Sequence, residues 1–268
     1  MNPNPIYALS FPEAKAIVVS GDIHGDFNLL VSKLCAQYQM RNTLLIVAGD
    51  CGFGFEKTAY YERMVKHNVK LMNEANNWIV FVRGNHDNPA YFDGMKLNHR
   101  RFVAVPDYAI LQACHHTILC VGGAISVDRR YRIAEWITRS HRSEPEELQP
   151  DNFERNLYWP NEIPVYDKEK LDVIAASWRV DTVVTHTAPS HCERLSKGGL
   201  SQWAAHDSSL MEDVRAERQT MDKILQHLKN DGHPVGHWYY GHFHQSWHAC
   251  IDGILYQMLD IMEFSQVY

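Results

Sequence analysis

Short apolar runs rich in Val and Ile recur along the chain at 16–20, 44–48, 78–82 and 182–184, and each ends abruptly at a polar cluster. A fifth run, 238–240, ends at Gly241-His242 in the same way. Runs of this length with polar residues just past their ends read as buried strands that present side chains on the following loops. Helical patterns over 28–39 and 60–75 separate the first three, which predicts βαβ units and a parallel central sheet. Shorter strands are predicted at 101–105, 109–111 and 117–122, where the sheet turns mixed or antiparallel. Helices over 168–177 and 210–228, a strand over 181–185 and closing strands within 251–260 complete the pattern. The periodicity fails between Asp128 and Lys168, a segment dense in Glu, Arg, Pro and Trp, as in Ser143-Glu-Pro-Glu-Glu147. The expectation is one domain over residues 1–268, with surface excursions at about 128–168 and 189–235 that shape specificity.

Composition narrows the class. With 268 residues, 45% hydrophobic and 22% charged, the chain can bury a substantial core. A net charge of −6 and a pI near 6.2 provide no global basic field for neutralising phosphate backbones, so nucleic acid is a disfavoured partner. No apolar run approaches the roughly 20 residues of a membrane-spanning helix, and the first 20 residues show no leader pattern. No membrane partner and a cytoplasmic location are therefore expected. The six cysteines form no Cys-x-x-Cys pair, which points to free thiols, and Cys51 is assigned no chemistry. Histidine is the outlier, with 16 copies.

Several of those histidines fall in the polar clusters that follow the strands: Asp22-Ile-His24, Gly49-Asp50, Gly84-Asn85-His86-Asp87, His186 and Gly241-His242-Phe-His244. Together they offer enough oxygen and nitrogen ligands for two metal ions side by side. Asp22 and His24, two apart, share a side of an extended or turning chain, and so do His242 and His244. Asp50 carries two carboxylate oxygens and can bridge a pair of ions, and Asn85 offers a neutral carbonyl oxygen. Mixed imidazole, carboxylate and amide ligation suits two divalent ions, manganese first, with iron, zinc or nickel as alternatives. Ions ~3.5 to 4 Å apart lower the pKa of a bridging water and clamp phosphoryl oxygens. The pattern thus points to phosphate-ester hydrolysis by direct attack of a metal-activated hydroxide. His86 would give the leaving group its proton. Asp87 would orient that imidazole, with a plain turn role in Asp87-Asn-Pro89 as the competing reading.

In this order the motifs resemble those of the calcineurin-like metallophosphoesterases, and the match touches the chain from Ala16 to His244. The resemblance implies an α/β fold, a four-layer α/β/β/α sandwich of two mixed β-sheets. It also implies that Asp22, His24, Asp50 and His244 surround one ion, that Asp50, Asn85, His186 and His242 surround the other, and that His86 is the acid. Arg83-Gly-Asn-His is similar to the serine/threonine protein-phosphatase branch in particular. That branch continues its second motif with a phosphate-binding Asp-Arg-Gly, whereas this chain has Cys51-Gly-Phe-Gly-Phe55 there. Arg129 and Arg130 are the candidate substitutes, because guanidinium matches phosphate oxygens in bidentate fashion; solvated surface charge is the plainer reading of both.

The function expected is a phosphomonoesterase acting on a phosphorylated small molecule, nucleotide or phosphoprotein. One alternative is a phosphodiesterase or nuclease using the same ions, and another is a metal-dependent binding module without catalysis. Trp136, Trp159 and Trp178 are expected to pack, with a nucleobase stacked on Tyr158 or Trp159 as the sharper option.

Overall fold

Residues 6–140, 158–192 and 199–268 are described by a computed structural model. Its strands are β1 (Ala8–Ser10), β2 (Ala16–Ser20), β3 (Thr43–Ala48), β4 (Trp78–Val82), β5 (Asn98–His99), β6 (Phe102–Ala104), β7 (Ala109–Ala113), β8 (His116–Val121), β9 (Thr182–Thr185), β10 (His237–Tyr240), β11 (Trp247–Ile251), β12 (Ile254–Met258) and β13 (Phe264–Val267). Its helices are α1 (Phe27–Ser32), which runs on into a π-type turn at Lys33–Gln37, α2 (Thr58–Ala75), α3 (Arg129–Ser140), α4 (Lys168–Ser177), α5 (Leu200–Ala204) and α6 (Leu210–Asn230).

Two sheets form. One has the order β13-β2-β3-β4-β6-β5 and the other β1-β7-β8-β9-β10-β12-β11. In the first, β2, β3, β4 and β6 are parallel, with antiparallel β13 and β5 at its edges. In the second, β8, β9, β10 and β12 are parallel, while β7 and β11 run antiparallel to β8 and β12. Both are therefore mixed, as expected.

Alternation along each strand explains the layering, because successive side chains leave a strand on opposite faces. Ile17, Val19, Leu44, Ile46, Val80 and Val82 pack with Leu111, Ile118, Cys120 and Val184 in one cluster between the sheets. Their neighbours Val18, Leu45, Val47, Ile79 and Phe81 face the other way, onto Leu30 and Leu34 and onto Tyr61, Met64 and Met72 of α2. On the far side Leu119, Val183, Trp238 and Tyr256 cover Leu171 and Ile174 of α4 and Met221, Ile224 and Leu228 of α6. Apolar residues on both faces of a strand are what a doubly covered parallel sheet requires. The layers run helix, sheet, sheet, helix.

Two expectations need correction. Residues 129–140 form a helix, not an aperiodic excursion; an i,i+4 ion pair, Arg132 Nε to Asp128 Oδ1 at 2.8 Å, supports its first turn. The end of that excursion is also no surface strap, since Trp159 and Glu162 are buried. Arg83 clamps it, donating to the carbonyls of Asn161 and Glu162 at 3.2 and 2.8 Å and to Asp107 at 2.9 Å. The acidic stretch 143–147 and the side chain of Trp136 lie outside the described residues.

Candidate metal centre

The five polar clusters sit at the C-terminal ends of β2, β3, β4, β9 and β10. β2, β3 and β4 are parallel neighbours in one sheet, and β9 and β10 are parallel neighbours in the other. Their following loops therefore emerge side by side at one end of the sandwich, the usual place for a site in such folds. Backbone strain gathers there: His24, Asp50, His242 and His244 all have positive φ, between 46° and 70°. That region is uncommon for residues other than glycine and is retained where surrounding structure holds it. The motif glycines let the loops interlock. A Cβ on Gly84 would strike Asp50, and one on Gly241 would strike Asp22.

Asp22, His24, Asp50 and His244 each place a ligand atom within 4.8 Å of the other three. His244 Nε2 stands 2.8 Å from Asp22 Oδ2 and 3.1 Å from His24 Nε2. Asp22 Oδ1 is occupied by the His242 backbone N–H at 2.9 Å, which leaves Oδ2 facing the imidazoles. On the adjoining side, His186 Nε2 lies 2.9 Å from Asn85 Oδ1 and 3.3 Å from Asp50 Oδ1, and the His186 and His242 rings meet edge to face at 4.9 Å. Asp50 belongs to both groups. Its Oδ2 is buried without a hydrogen-bond partner among the described residues. A buried carboxylate oxygen in that condition costs stability unless a cation satisfies it. The donor set and this oxygen fit a pair of divalent ions.

The electrostatics agree. Burial opposes ionisation of Asp50, yet the imidazoles of His86, His186 and His24 outweigh it and hold the carboxyl well below the ordinary range. Burial likewise opposes charge on His186, but Asp50 and Asp22 push it up to about 9. A site this negative takes a proton where it has no metal ion. Burial and the neighbouring carboxylates of Asp87, Asp50 and Asp22 push the Cys51 thiol well above its usual value, so it is no nucleophile.

His86 is buried beside Asp50, its Nε2 3.7 Å from Asp50 Oδ2. Asp87 does not orient it. Both Asp87 oxygens are taken by backbone N–H groups, those of Cys51, Gly52, Phe53 and Gly84 at 2.7 to 2.9 Å. The carboxylate instead ties the loop after β3 to the loop after β4, close to the turn role that the sequence also allowed. Burial, followed by the Asp50 charge, pushes it up to about 6, against the N–H groups of Cys51, Gly84 and Phe53.

Arg129 and Arg130 do not reach the site. The Arg129 guanidinium is bound by Asp207 at 2.6 Å, Asp213 at 2.5 Å and Ser209 at 2.9 Å, and it lines a separate cavity of about 200 Å³. Arg130 is exposed and pairs with Asp207 at 3.6 Å. One turn along the helix, Arg132 Nη2 comes within 3.3 Å of His86 Nε2. Arg132 lines the pocket of about 480 Å³ over the candidate ligands, together with Asp128, Ser126 and an apolar wall of Phe55, Val127 and Trp203. Tyr158 and Trp159 are not at this pocket; Trp159 packs against Gly54. Arg132, Ser126 and Trp203 are pocket residues that no motif in the sequence marks. Only the crowding of arginines near Asp128 signalled any of them.

A sandwich of two mixed sheets with clustered His, Asp and Asn side chains at the ends of its parallel strands defines a metal-dependent hydrolase. The sequence profile of the calcineurin-like phosphoesterases matches residues 15–246, and the chain belongs to that family. Among solved structures, the protein TT1561 of Thermus thermophilus is similar over 95% of this chain and 98% of its own, with 12% identity and a TM-score of 0.53. The phosphopantetheinyl hydrolase of Mycobacterium tuberculosis is 16% identical over 94% of this chain and 95% of its own, with a TM-score of 0.41. A dimetal phosphatase from Danio rerio is 11% identical over 94% and 88%, with a TM-score of 0.46. No curated protein sequence matches the chain significantly. No helix among the described residues is long and apolar enough to cross a membrane.

Proposed function

We propose that the protein is a phosphomonoesterase that uses two divalent ions, manganese first among them, and acts in the cytoplasm on a small phosphorylated molecule, a nucleotide or a phosphoprotein. The observation that carries this reading is Asp50, whose carboxylate stands between two groups of ligands and keeps one buried oxygen without a hydrogen bond. Two ions held by Asp22, His24, Asp50 and His244 and by Asp50, Asn85, His186 and His242 would supply an activated water for direct attack on phosphorus and a clamp on the phosphoryl oxygens.

The remaining chemistry belongs to the side chains. Two N–H donors, Asn85 Nδ2 and Arg132 Nη2, lie 3.3 Å from His86 Nε2, so the tautomer that fits both carries its proton on Nδ1. An arriving phosphoryl group gives the Arg132 guanidinium a better acceptor. Nε2 is then free to take a proton from solvent, and the resulting imidazolium gives that proton to the leaving alkoxide. Phe55, Val127 and Trp203 would receive the organic part of the ester, in a pocket of a size suited to a small ligand. Arg132, already paired with Asp128, is the one Lys or Arg among the described lining residues, which favours a single phosphate over a polymer backbone. The test is hydrolysis of p-nitrophenyl phosphate against bis-p-nitrophenyl phosphate by metal-stripped protein resupplied with Mn, Zn, Ni, Fe(II) or Mg. Preference for the monoester is expected; preference for the diester would replace this reading with a phosphodiesterase.

A further inference from the structure

A chain of hydrogen bonds runs from behind the site to Asn85. Glu162 is fully enclosed at 1% exposure. Its Oε1 accepts the Ser126 backbone N–H at 2.8 Å and its Oε2 accepts the Ser126 hydroxyl at 2.6 Å. Ser126 Oγ in turn accepts a hydrogen from Asn85 Nδ2 at 2.9 Å. With the Glu162 carboxyl ionised, the direction of this relay is fixed by proton count, and the Asn85 amide atoms lie in the matching orientation, Nδ2 toward Ser126 and Oδ1 toward His186. A serine hydroxyl has one hydrogen, and giving it to Glu162 leaves only lone pairs for Asn85. The Asn85 amide must therefore turn its NH₂ toward Ser126 and its carbonyl oxygen toward His186.

The other end is equally constrained. His186 Nδ1 faces the Ala48 carbonyl at 2.7 Å and donates to it, so Nε2 offers a lone pair. Asn85 Oδ1, His186 Nε2 and Asp50 Oδ1 are then three acceptors turned on one another at 2.9 and 3.3 Å. A proton on Nε2 relieves that arrangement in the metal-free protein, and a bound metal ion would replace it. Were the amide flipped, its NH₂ would donate to His186 and the cation would lose a ligand.

Glu162 is itself anchored. Its carbonyl accepts from Arg83 Nη1 at 2.8 Å and from the Ala124 N–H at 3.1 Å, so the arginine of the Arg83-Gly-Asn-His motif holds the segment that holds the relay. We infer that Glu162 and Ser126 are positioning residues which set the orientation of the Asn85 amide, and through it the strength of the ion site made by Asp50, Asn85, His186 and His242. This rests on the two-ion reading above.

The test is Mn(II) binding to metal-stripped wild type, Ser126→Ala, Ser126→Thr and Glu162→Gln, followed by the electron paramagnetic resonance of free and bound ion. Loss of a hydrogen bond behind a ligand typically weakens a metal ion 10- to 100-fold, roughly. In Ser126→Ala one of the two ions should weaken by about that factor while the other keeps its wild-type affinity, and Ser126→Thr, which retains the hydroxyl, should recover it. Glu162→Gln keeps the volume but can accept only one of the two hydrogens, and should weaken the same ion. Wild-type affinity for both ions in Ser126→Ala and Glu162→Gln would overturn the inference, as would equal weakening of both ions. Fewer than two ions in wild type would instead overturn the two-ion reading, and this inference with it.

Discussion

His186 Nε2 and Asn85 Oδ1 face each other at 2.9 Å with a lone pair on each, because His186 Nδ1 is committed to the Ala48 carbonyl. A proton on Nε2 satisfies both in the metal-free protein, and a metal ion held by both atoms would take its place. Metal ions that bind the folded chain and not the unfolded one stabilise it by mass action, by about 2.7 kcal/mol at 100 times the dissociation constant. For a chain of this size that corresponds to a rise in Tm on the order of 5 to 10 °C. Thermal unfolding of stripped and Mn-resupplied protein should differ by this amount; coincident curves would show that the cluster holds no metal.

His86 touches the reacting atoms in this account, and no metal ligation is assigned to it. His86→Gln should lower kcat by a factor of about 10² to 10⁴ while leaving the metal content unchanged. The loss should be larger for an alkyl phosphate than for p-nitrophenyl phosphate, whose leaving group needs less help from a proton. Equal losses on both esters would remove His86 as the acid.

Three arginines at 129, 130 and 132 differ sharply in surroundings. Arg129 is held by two carboxylates, Arg130 is exposed, and Arg132 faces the pocket beside His86. Charged hydrogen bonds of this kind contribute about 1.5 to 3 kcal/mol. Arg132→Ala should raise KM for a phosphomonoester by about 10- to 100-fold, whereas Arg130→Ala should leave KM within about twofold. Steady-state kinetics on the two variants decide between them.

Glu162 gives the fold a pH dependence of known sign. Burial pushes its carboxyl up to about 8, while Ser126 pulls the other way. The unfolded carboxyl titrates near 4.3, roughly, so between these values the folded state holds a proton that the unfolded state lacks. Stability is therefore greatest below the lower value and falls as pH rises through the upper one, at about 1.4 kcal/mol per unit of separation. Denaturant unfolding at pH 5 and pH 9 should show wild type losing a few kcal/mol relative to Glu162→Gln. A constant difference between the two proteins would mean that Glu162 stays ionised throughout.

The strands that carry ligands were legible because each is a covered run that breaks at its ligand; β2 and β4 begin and end where the apolar pattern does. Both sheets' edges were harder. β13, Phe264-Ser-Gln-Val267, is short and does not alternate, and it is fixed by its antiparallel pairing with β2, more than 240 residues earlier. The helix after Asp128 is as amphipathic as α2, and was missed because its many arginines make it far more polar overall and it runs into the polar stretch beyond Ser140. Which of its arginines enters the pocket depends on helical phase, which the spacing of charges does not reveal. Asp87 looked like a partner for the adjacent imidazole, but the backbone N–H groups of two loops compete for it and win. Glu162 and Ser126 lie 36 residues apart, so no local spacing could have joined them.

The most direct test of the central claim is to titrate metal-stripped wild type and Asp50→Asn with Mn(II), counting bound ions while following p-nitrophenyl phosphate hydrolysis. Two ions per wild-type chain are expected, with turnover appearing as the second binds, and in Asp50→Asn a weakening of both ions together with loss of turnover. Full turnover with one ion, or an Asp50→Asn chain that keeps two ions at wild-type affinity, would contradict the claim.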